Sequence, residues 1–178
     1  LIFVENSKRC VSLRQAQELV TAAPLRFVGV FQNQDIDFIV KIAQQLQLYA
    51  VQLHGDETAE FITALRTKLP ESIRIWKAIS VDLTHKSAVV FDDVSAIDRF
   101  VFDSKSGAQQ GGTGETFNWS LIPTQLKHKI LLAGGINSNN IDTALAQHCV
   151  GVDLNSGVES APGVKDAEKV RSIFKAIL

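Results

Sequence analysis

The feature that most constrains this chain is a regular alternation of short apolar runs with segments of helical apolar spacing. The runs at residues 1–4, 27–31, 50–54, 73–79, 100–103, 129–134 and 151–155 are rich in Val, Ile, Leu and Phe. Runs without a consistent polar face suit parallel strands covered on both sides. Between them, residues 12–20 put Leu13, Ala16, Leu19 and Val20 on one helical face, with Ser12 in the capping position. Residues 35–46 repeat the pattern with Ile36, Ile39, Val40, Ala43 and Leu46, and residues 57–69 repeat it with Phe61, Ile62 and Leu65. Residues 139–146 and 166–178 complete the series, while 82–94 carry the weakest pattern and predict at most a short helix.

Seven strands, each followed by a helix or loop, predict an α/β fold with a parallel sheet and right-handed crossovers. Residues 1–178 contain no Ser- or Pro-rich linker and no low-complexity tract, so they read as one domain. An open doubly wound sheet and a (β/α)8 barrel with seven of its eight units both fit. No GxGxxG follows the first run, which argues against a dinucleotide-binding sheet. Glycine turns after the last two runs favour the barrel, which commonly binds phosphate at that point.

Composition narrows the partners. The 178 residues are 46% hydrophobic and 21% charged with a net charge of −1, which gives no reason to expect nucleic acid or an anionic membrane. No apolar run approaches the ~18 residues of a membrane-spanning helix. Cys10 and Cys149 stand apart, with no CxxC and no Cys/His spacing for zinc. They are expected to be reduced thiols in a cytoplasmic protein. No carboxylate/His cluster suggests a metal. Leu1 opens directly on an apolar run with no methionine, so residue 1 reads as an internal position of a longer protein.

Three regions carry candidate chemistry. Asp103 ends the run Arg99-Phe-Val-Phe-Asp103, and the loop Gly107-Ala-Gln-Gln-Gly-Gly-Thr-Gly114 follows it. A carboxylate at a strand's C-terminal end sits where α/β folds place catalysis, and such a loop is suited to covering a substrate. The turns Leu131-Leu-Ala-Gly-Gly135 and Asp153-Leu-Asn-Ser-Gly157 end successive strands. Glycine lets the backbone approach an anion, and consecutive N–H groups form an anion-binding concavity. This makes Gly134, Gly135, Asn155, Ser156 and Gly157 the phosphate candidates. Arg9, just past the first run, offers a planar fork for a carboxylate or phosphate. His54 ends the third run, and Lys77 lies inside the fourth, so both are candidate substrate contacts. A Schiff-base role for Lys77 has no partner motif behind it. Asp153 is expected to be a buried structural acid satisfied by backbone donors.

With those residues assembled, the chain resembles the N-(5′-phosphoribosyl)anthranilate isomerases. The matching segments are Phe3-Val-Glu-Asn-Ser-Lys-Arg9, Val28-Gly-Val-Phe31, Val51-Gln-Leu-His-Gly55, Trp76-Lys-Ala78, Phe102-Asp103, Gly111-Gly-Thr-Gly114, Phe117-Asn-Trp119, Leu131-Leu-Ala-Gly-Gly135, Asp153-Leu-Asn-Ser-Gly-Val-Glu159, Pro162-Gly163 and Lys165-Asp166. The resemblance implies a (β/α)8 barrel and a cofactor-free Amadori rearrangement of a phosphorylated small molecule in tryptophan biosynthesis. It implies Asp103 as general acid, Arg9 as the partner of the anthranilate carboxylate and the two glycine turns as the phosphate site. The family's general base is a cysteine in a Lys-x-Cys-Gly segment on the first strand, and neither Cys10 nor Cys149 has that setting. The resemblance therefore aligns Leu1 with the second strand, implies that the first βα unit is absent, and leaves the chain inactive alone. The likeness is greatest to the isomerase half of bifunctional proteins in which indole-3-glycerol-phosphate synthase comes first. The alternatives are another phosphate-binding barrel, such as a sugar-phosphate epimerase or a histidine-pathway isomerase, or a non-catalytic fragment that assembles with another chain. The expected metal ligands of the epimerase and the half-barrel repeat of the histidine-pathway enzyme are not found.

Overall fold

A computed structural model describes residues 1–82, 95–105, 119 and 122–178. The chain divides into two compact units, Leu1–Ala78 with Phe91–Arg99, and Ile79–Val90 with Phe100–Leu178.

In the first unit, α1 (Leu13–Ala22) begins at a complete capping box. The Ser12 side chain accepts from the Gln15 N–H, and the Gln15 side chain accepts from the Ser12 N–H. Strand β1 (Val28–Phe31) then runs parallel to β2 (Ala50–Leu53), and β2 parallel to the start of β3 (Arg74–Asp82), with Leu53 opposite Lys77. Helices α2 (Ile36–Gln45) and α3 (Ala59–Lys68) are capped by Asp35 and Thr58 and bury Ile39, Ile42, Ala43, Ile62 and Leu65. All four residues of β2 are buried, as expected of a strand covered on both faces. Phe3 stacks on Phe31 with ring centroids 5.4 Å apart, closing the core beside the first residues.

The expected strand at residues 1–4 does not form. Ile2 makes only isolated parallel bridges, to Val30 on one side and Cys10 on the other. The Phe3 N–H donates to the Val30 carbonyl, after which the Ser7 N–H donates to the Val4 carbonyl and turns the chain away. The ladder is therefore one residue pair long.

In the second unit, β4 (Arg99–Lys105) pairs in parallel with β5 (Ile130–Leu132), and β5 with β6 (Gly151–Val152). The last two strands are shorter than expected. β5 stops before Gly134 because the backbone there takes positive φ. β6 gives way to a 3-10 turn at Ser156–Val158. A 3-10 helix at Thr124–Lys129 precedes β5, and α4 (Ile141–Leu145) is only a short helix. An antiparallel hairpin of β7 (Glu159–Ala161) and β8 (Val164–Lys165), which the periodicity did not predict, leads into α5 (Ala167–Ile177). The Asp166 carboxylate caps α5 by accepting from the Glu168 and Lys169 N–H groups, which hold it below the usual carboxylate range. Phe100, Phe102, Ile130, Leu132, Ile141 and Ile173 form the core of this unit.

Residues 83–94, on which the weakest helix was expected, lie outside the described residues, as does the Gly107–Gly114 loop. Among the described residues, no helix is long and apolar enough to cross a membrane.

Candidate active site

In the second unit, the carboxyl ends of β4, β5 and β6 bring the predicted acid and both glycine turns onto one parallel ladder. Asp103 is half-buried and immediately follows Phe102, the last β4 residue in register with β5. Strand β4 itself runs on to Lys105, so Asp103 lies within the strand and not at its end as the sequence suggested. Its position past the β5 pairing follows from the early stop of β5. The Ala133 N–H closes that ladder by donating to the Phe102 carbonyl at 2.8 Å.

The first glycine turn requires glycine. Gly134 and Gly135 have φ of 82° and 66°, a region costly for residues with a Cβ. Asn137 Nδ2 and Asn140 Nδ2 both donate to the Gly135 carbonyl, at 2.9 and 3.0 Å. The second turn packs directly on the first. A Cβ built on Gly157 would lie 1.9 Å from the Ile136 carbonyl oxygen and 3.1 Å from Asn137 Cα. Among the described residues, the N–H groups of Gly134, Gly135, Ser156 and Gly157 have no protein acceptor, although all four residues are half-buried. Two adjoining turns with unused donors can bind an anion chemically. Asn155, the fifth predicted member, is exposed and accepts from Lys165. Asp153 was expected to be buried but is exposed, because β6 ends one residue before it.

In the first unit, Arg9 is half-buried in the turn after Ile2, and its N–H donates to Ser7 Oγ at 3.2 Å. His54 follows β2, with Nδ1 3.2 Å from Nε2 of the buried Gln52. The Lys77 ammonium donates to the Gly55 carbonyl at 2.6 Å and to Glu57 Oε2 at 2.8 Å. Periodicity gave no sign of Glu57, which is the hub of this group. Its side chain is 2% exposed and also accepts from the Asn33 and Gly55 N–H groups. Burial pushes the Glu57 carboxyl up, but the Asn33 N–H and the Lys77 ammonium outweigh that and hold it below the usual carboxylate value. Lys77 thus serves a buried ion pair that joins the loops after β1 and β2 to β3. A carboxylate two positions past the His54-Gly55 pair, matched by a lysine inside an apolar strand, is its sequence trace.

Neither cysteine is placed as an evident base. Cys10 is exposed, and burial pushes the Cys149 thiol up despite the nearby Lys127. Among the described residues, no group of three or more His, Cys, Asp or Glu side chains could hold a metal ion.

The sequence profile of the N-(5′-phosphoribosyl)anthranilate (PRA) isomerases matches residues 1–176. The chain belongs to this isomerase family. It is 71% identical over 177 residues to a tryptophan biosynthesis protein TrpCF of Haemophilus influenzae, which covers 99% of the chain and 37% of that protein. The chain thus spans a little over a third of that relative's length. The phosphoribosyl anthranilate isomerase of Thermus thermophilus superposes with a TM-score of 0.81 at 27% identity, covering 99% of this chain and 85% of that one. A family member solved in complex with reduced 1-(o-carboxyphenylamino)-1-deoxyribulose 5-phosphate superposes with a TM-score of 0.77 at 27% identity, covering 98% of this chain and 84% of that one. The isomerase family has the (β/α)8-barrel fold, and the parallel βα series of this chain belongs to it.

Proposed function

We propose that this chain carries most of the active site for the isomerase step of tryptophan biosynthesis, with the base supplied from outside it. N-(5-phosphoribosyl)anthranilate becomes 1-(2-carboxyphenylamino)-1-deoxyribulose 5-phosphate by an Amadori rearrangement. The Asp103 carboxylic acid gives its proton to the furanose ring oxygen. The bond from that oxygen to C1 breaks, and the anilino nitrogen's lone pair forms a C1=N Schiff base. A base then takes the proton from C2, the electrons return to nitrogen, and the resulting enolamine tautomerises to the C2 ketone with a proton added at C1. The change is internal to the substrate, so the step consumes no oxidant, reductant or cofactor.

The observation that carries this reading is the juxtaposition in the second unit: two touching glycine turns with unused half-buried N–H groups, and a carboxylate on the neighbouring ladder. Gly134, Gly135, Ser156 and Gly157 would hold the phosphate through backbone donors, next to Asn155. Arg9 would pair with the aromatic carboxylate. His54 remains a substrate-contact candidate because it directly follows the end of β2, whereas Lys77 contributes through the Glu57 ion pair.

The base is assigned to a Lys-x-Cys-Gly segment upstream of Leu1, within a first βα unit outside this chain. The longer protein would carry an indole-3-glycerol-phosphate synthase domain ahead of it and would work in the cytoplasm. Supporting this are the unsuitable settings of Cys10 and Cys149 and the share of the Haemophilus protein that the chain spans. A missing positioned base typically costs 10²–10⁴-fold in rate. The experiment compares turnover of N-(5-phosphoribosyl)anthranilate by residues 1–178 with that of a chain extended upstream through the cysteine. Fast turnover by the extended chain alone is expected. Equal turnover by both would move the base into these residues, and no turnover by either would remove the isomerase reading.

A further inference from the structure

The hairpin that follows the second glycine turn carries a lysine with no part in the chemistry above. Lys165 Nζ lies 3.0 Å from the Asn155 carbonyl oxygen, 2.9 Å from Asn155 Oδ1 and 3.0 Å from Glu159 Oε1. An ammonium has three protons to donate, and these acceptors match that number. Glu159 is held in turn. Its side chain is 4% exposed, and the Gly163 N–H donates to Oε1 at 3.3 Å. Lys169 Nζ, from the first turn of α5, donates to the Glu159 carbonyl at 2.7 Å. The Asp166 N–H donates to the Val158 carbonyl at 2.8 Å, fastening the other end of the 3-10 turn.

We propose that Lys165 is a positioning residue for the phosphate site, fixing the second glycine turn through both oxygens of Asn155. The inference rests on the phosphate-site reading above. Asn155 is the residue from which the turn springs. Its carbonyl accepts the turn's own bond from the Val158 N–H at a long 3.3 Å, so the turn is weakly held from within. Lys165 supplies the missing restraint from outside. The Ser156 and Gly157 N–H groups follow Asn155 directly, and hydrogen bonds to an anion weaken steeply as donors swing out of line. Because its protons are committed, Lys165 acts through Asn155 and not as a phosphate ligand. The buried Glu159 carboxylate orients the ammonium and balances its charge.

The test uses the full-length protein and two ligands, reduced 1-(o-carboxyphenylamino)-1-deoxyribulose 5-phosphate and its dephosphorylated counterpart. In Lys165→Met, the phosphorylated ligand is expected to bind roughly tenfold more weakly, the loss of about one charge-assisted hydrogen bond's worth of alignment. The dephosphorylated ligand is expected to bind as before, and KM is expected to rise more than kcat falls. The double variant Lys165→Met/Glu159→Gln removes the buried carboxylate along with its partner, so it is also the variant to measure if the single one fails to fold. Positioning predicts the same selective loss in the double variant. Recovery of affinity there would mean that the effect was charge alone and would overturn the proposal. Equal preference for the phosphorylated ligand in wild type and both variants would also overturn it. A wild type that does not distinguish the two ligands would instead defeat the phosphate-site reading itself.

Discussion

Gly157→Ala probes the proposed phosphate site where its two turns touch. The added Cβ would stand 1.9 Å from the Ile136 carbonyl oxygen, a backbone atom that cannot rotate aside. A relaxed C–H···O contact needs ~3.3 Å between carbon and oxygen, so the turns must separate by about 1.4 Å. Gly157 is not among the residues with positive φ, so the obstacle is this collision and not the backbone angles. Overpacking of this kind costs about 1–3 kcal/mol of stability. In a chain of this size that lowers Tm by roughly 2–4 °C per kcal/mol. The functional cost is larger. A donor displaced by more than an ångström no longer bonds an anion, and each charge-assisted bond is worth about 1.5–3 kcal/mol. Losing two of them weakens binding by on the order of 100-fold or more. Calorimetric titration with reduced 1-(o-carboxyphenylamino)-1-deoxyribulose 5-phosphate, beside a thermal melt, measures both terms. A folded Gly157→Ala protein that binds the ligand as tightly as wild type would refute the backbone phosphate site.

Four further outcomes are expected. Asp103→Asn keeps the shape of the side chain but removes its titrating proton, so kcat should fall at least ~100-fold while the melting curve is preserved; near-normal turnover would end the acid assignment. Arg9→Met should raise KM with a smaller change in kcat, because the carboxylate pairing is made in both ground and transition states, at about 1.5–3 kcal/mol; unchanged steady-state constants would rule the pairing out. Lys77→Met leaves the Glu57 carboxylate buried without its cation and should cost roughly 3–5 kcal/mol in denaturant unfolding. Glu57 also sets a pH dependence. Its folded-state value is depressed, so its contribution to stability is present above the ordinary carboxylate value of about 4.3 and is lost as pH falls below that toward the folded-state value. Glu57→Gln should flatten the acid limb of a stability-versus-pH curve, and an unchanged limb would show that the pair does not titrate as described.

The sequence alone determined the order of the βα elements and the limits of the longer helices and of β1 and β2. Ser12, Asp35, Thr58 and Asp166 signal helix starts because a capping side chain acts on donors two or three residues away. Apolar runs at 50–53 and 100–102 announce strands because burial on both faces leaves no room for polar residues, with Gln52 the exception that hydrogen-bonds His54. The glycine turns were legible for the same local reason, since their residues are consecutive, whereas Asp103 falls inside β4 and not at the strand end that the sequence suggested. What only the tertiary structure decided depends on residues far apart in the chain. Residues 1–4 are as apolar as a strand, yet how far the ladder runs is set by where Val30 accepts and where the Ser7 turn begins. Asp153 is exposed because β6 stops at Val152, which hydropathy cannot register. Glu57 and Glu159 look like surface carboxylates in sequence. Each is buried because a lysine, 20 residues on in one case and 6 in the other, folds back to meet it. Such pairings are absent from any local pattern, because the energy that favours them exists only once desolvation has removed the water that would otherwise compete.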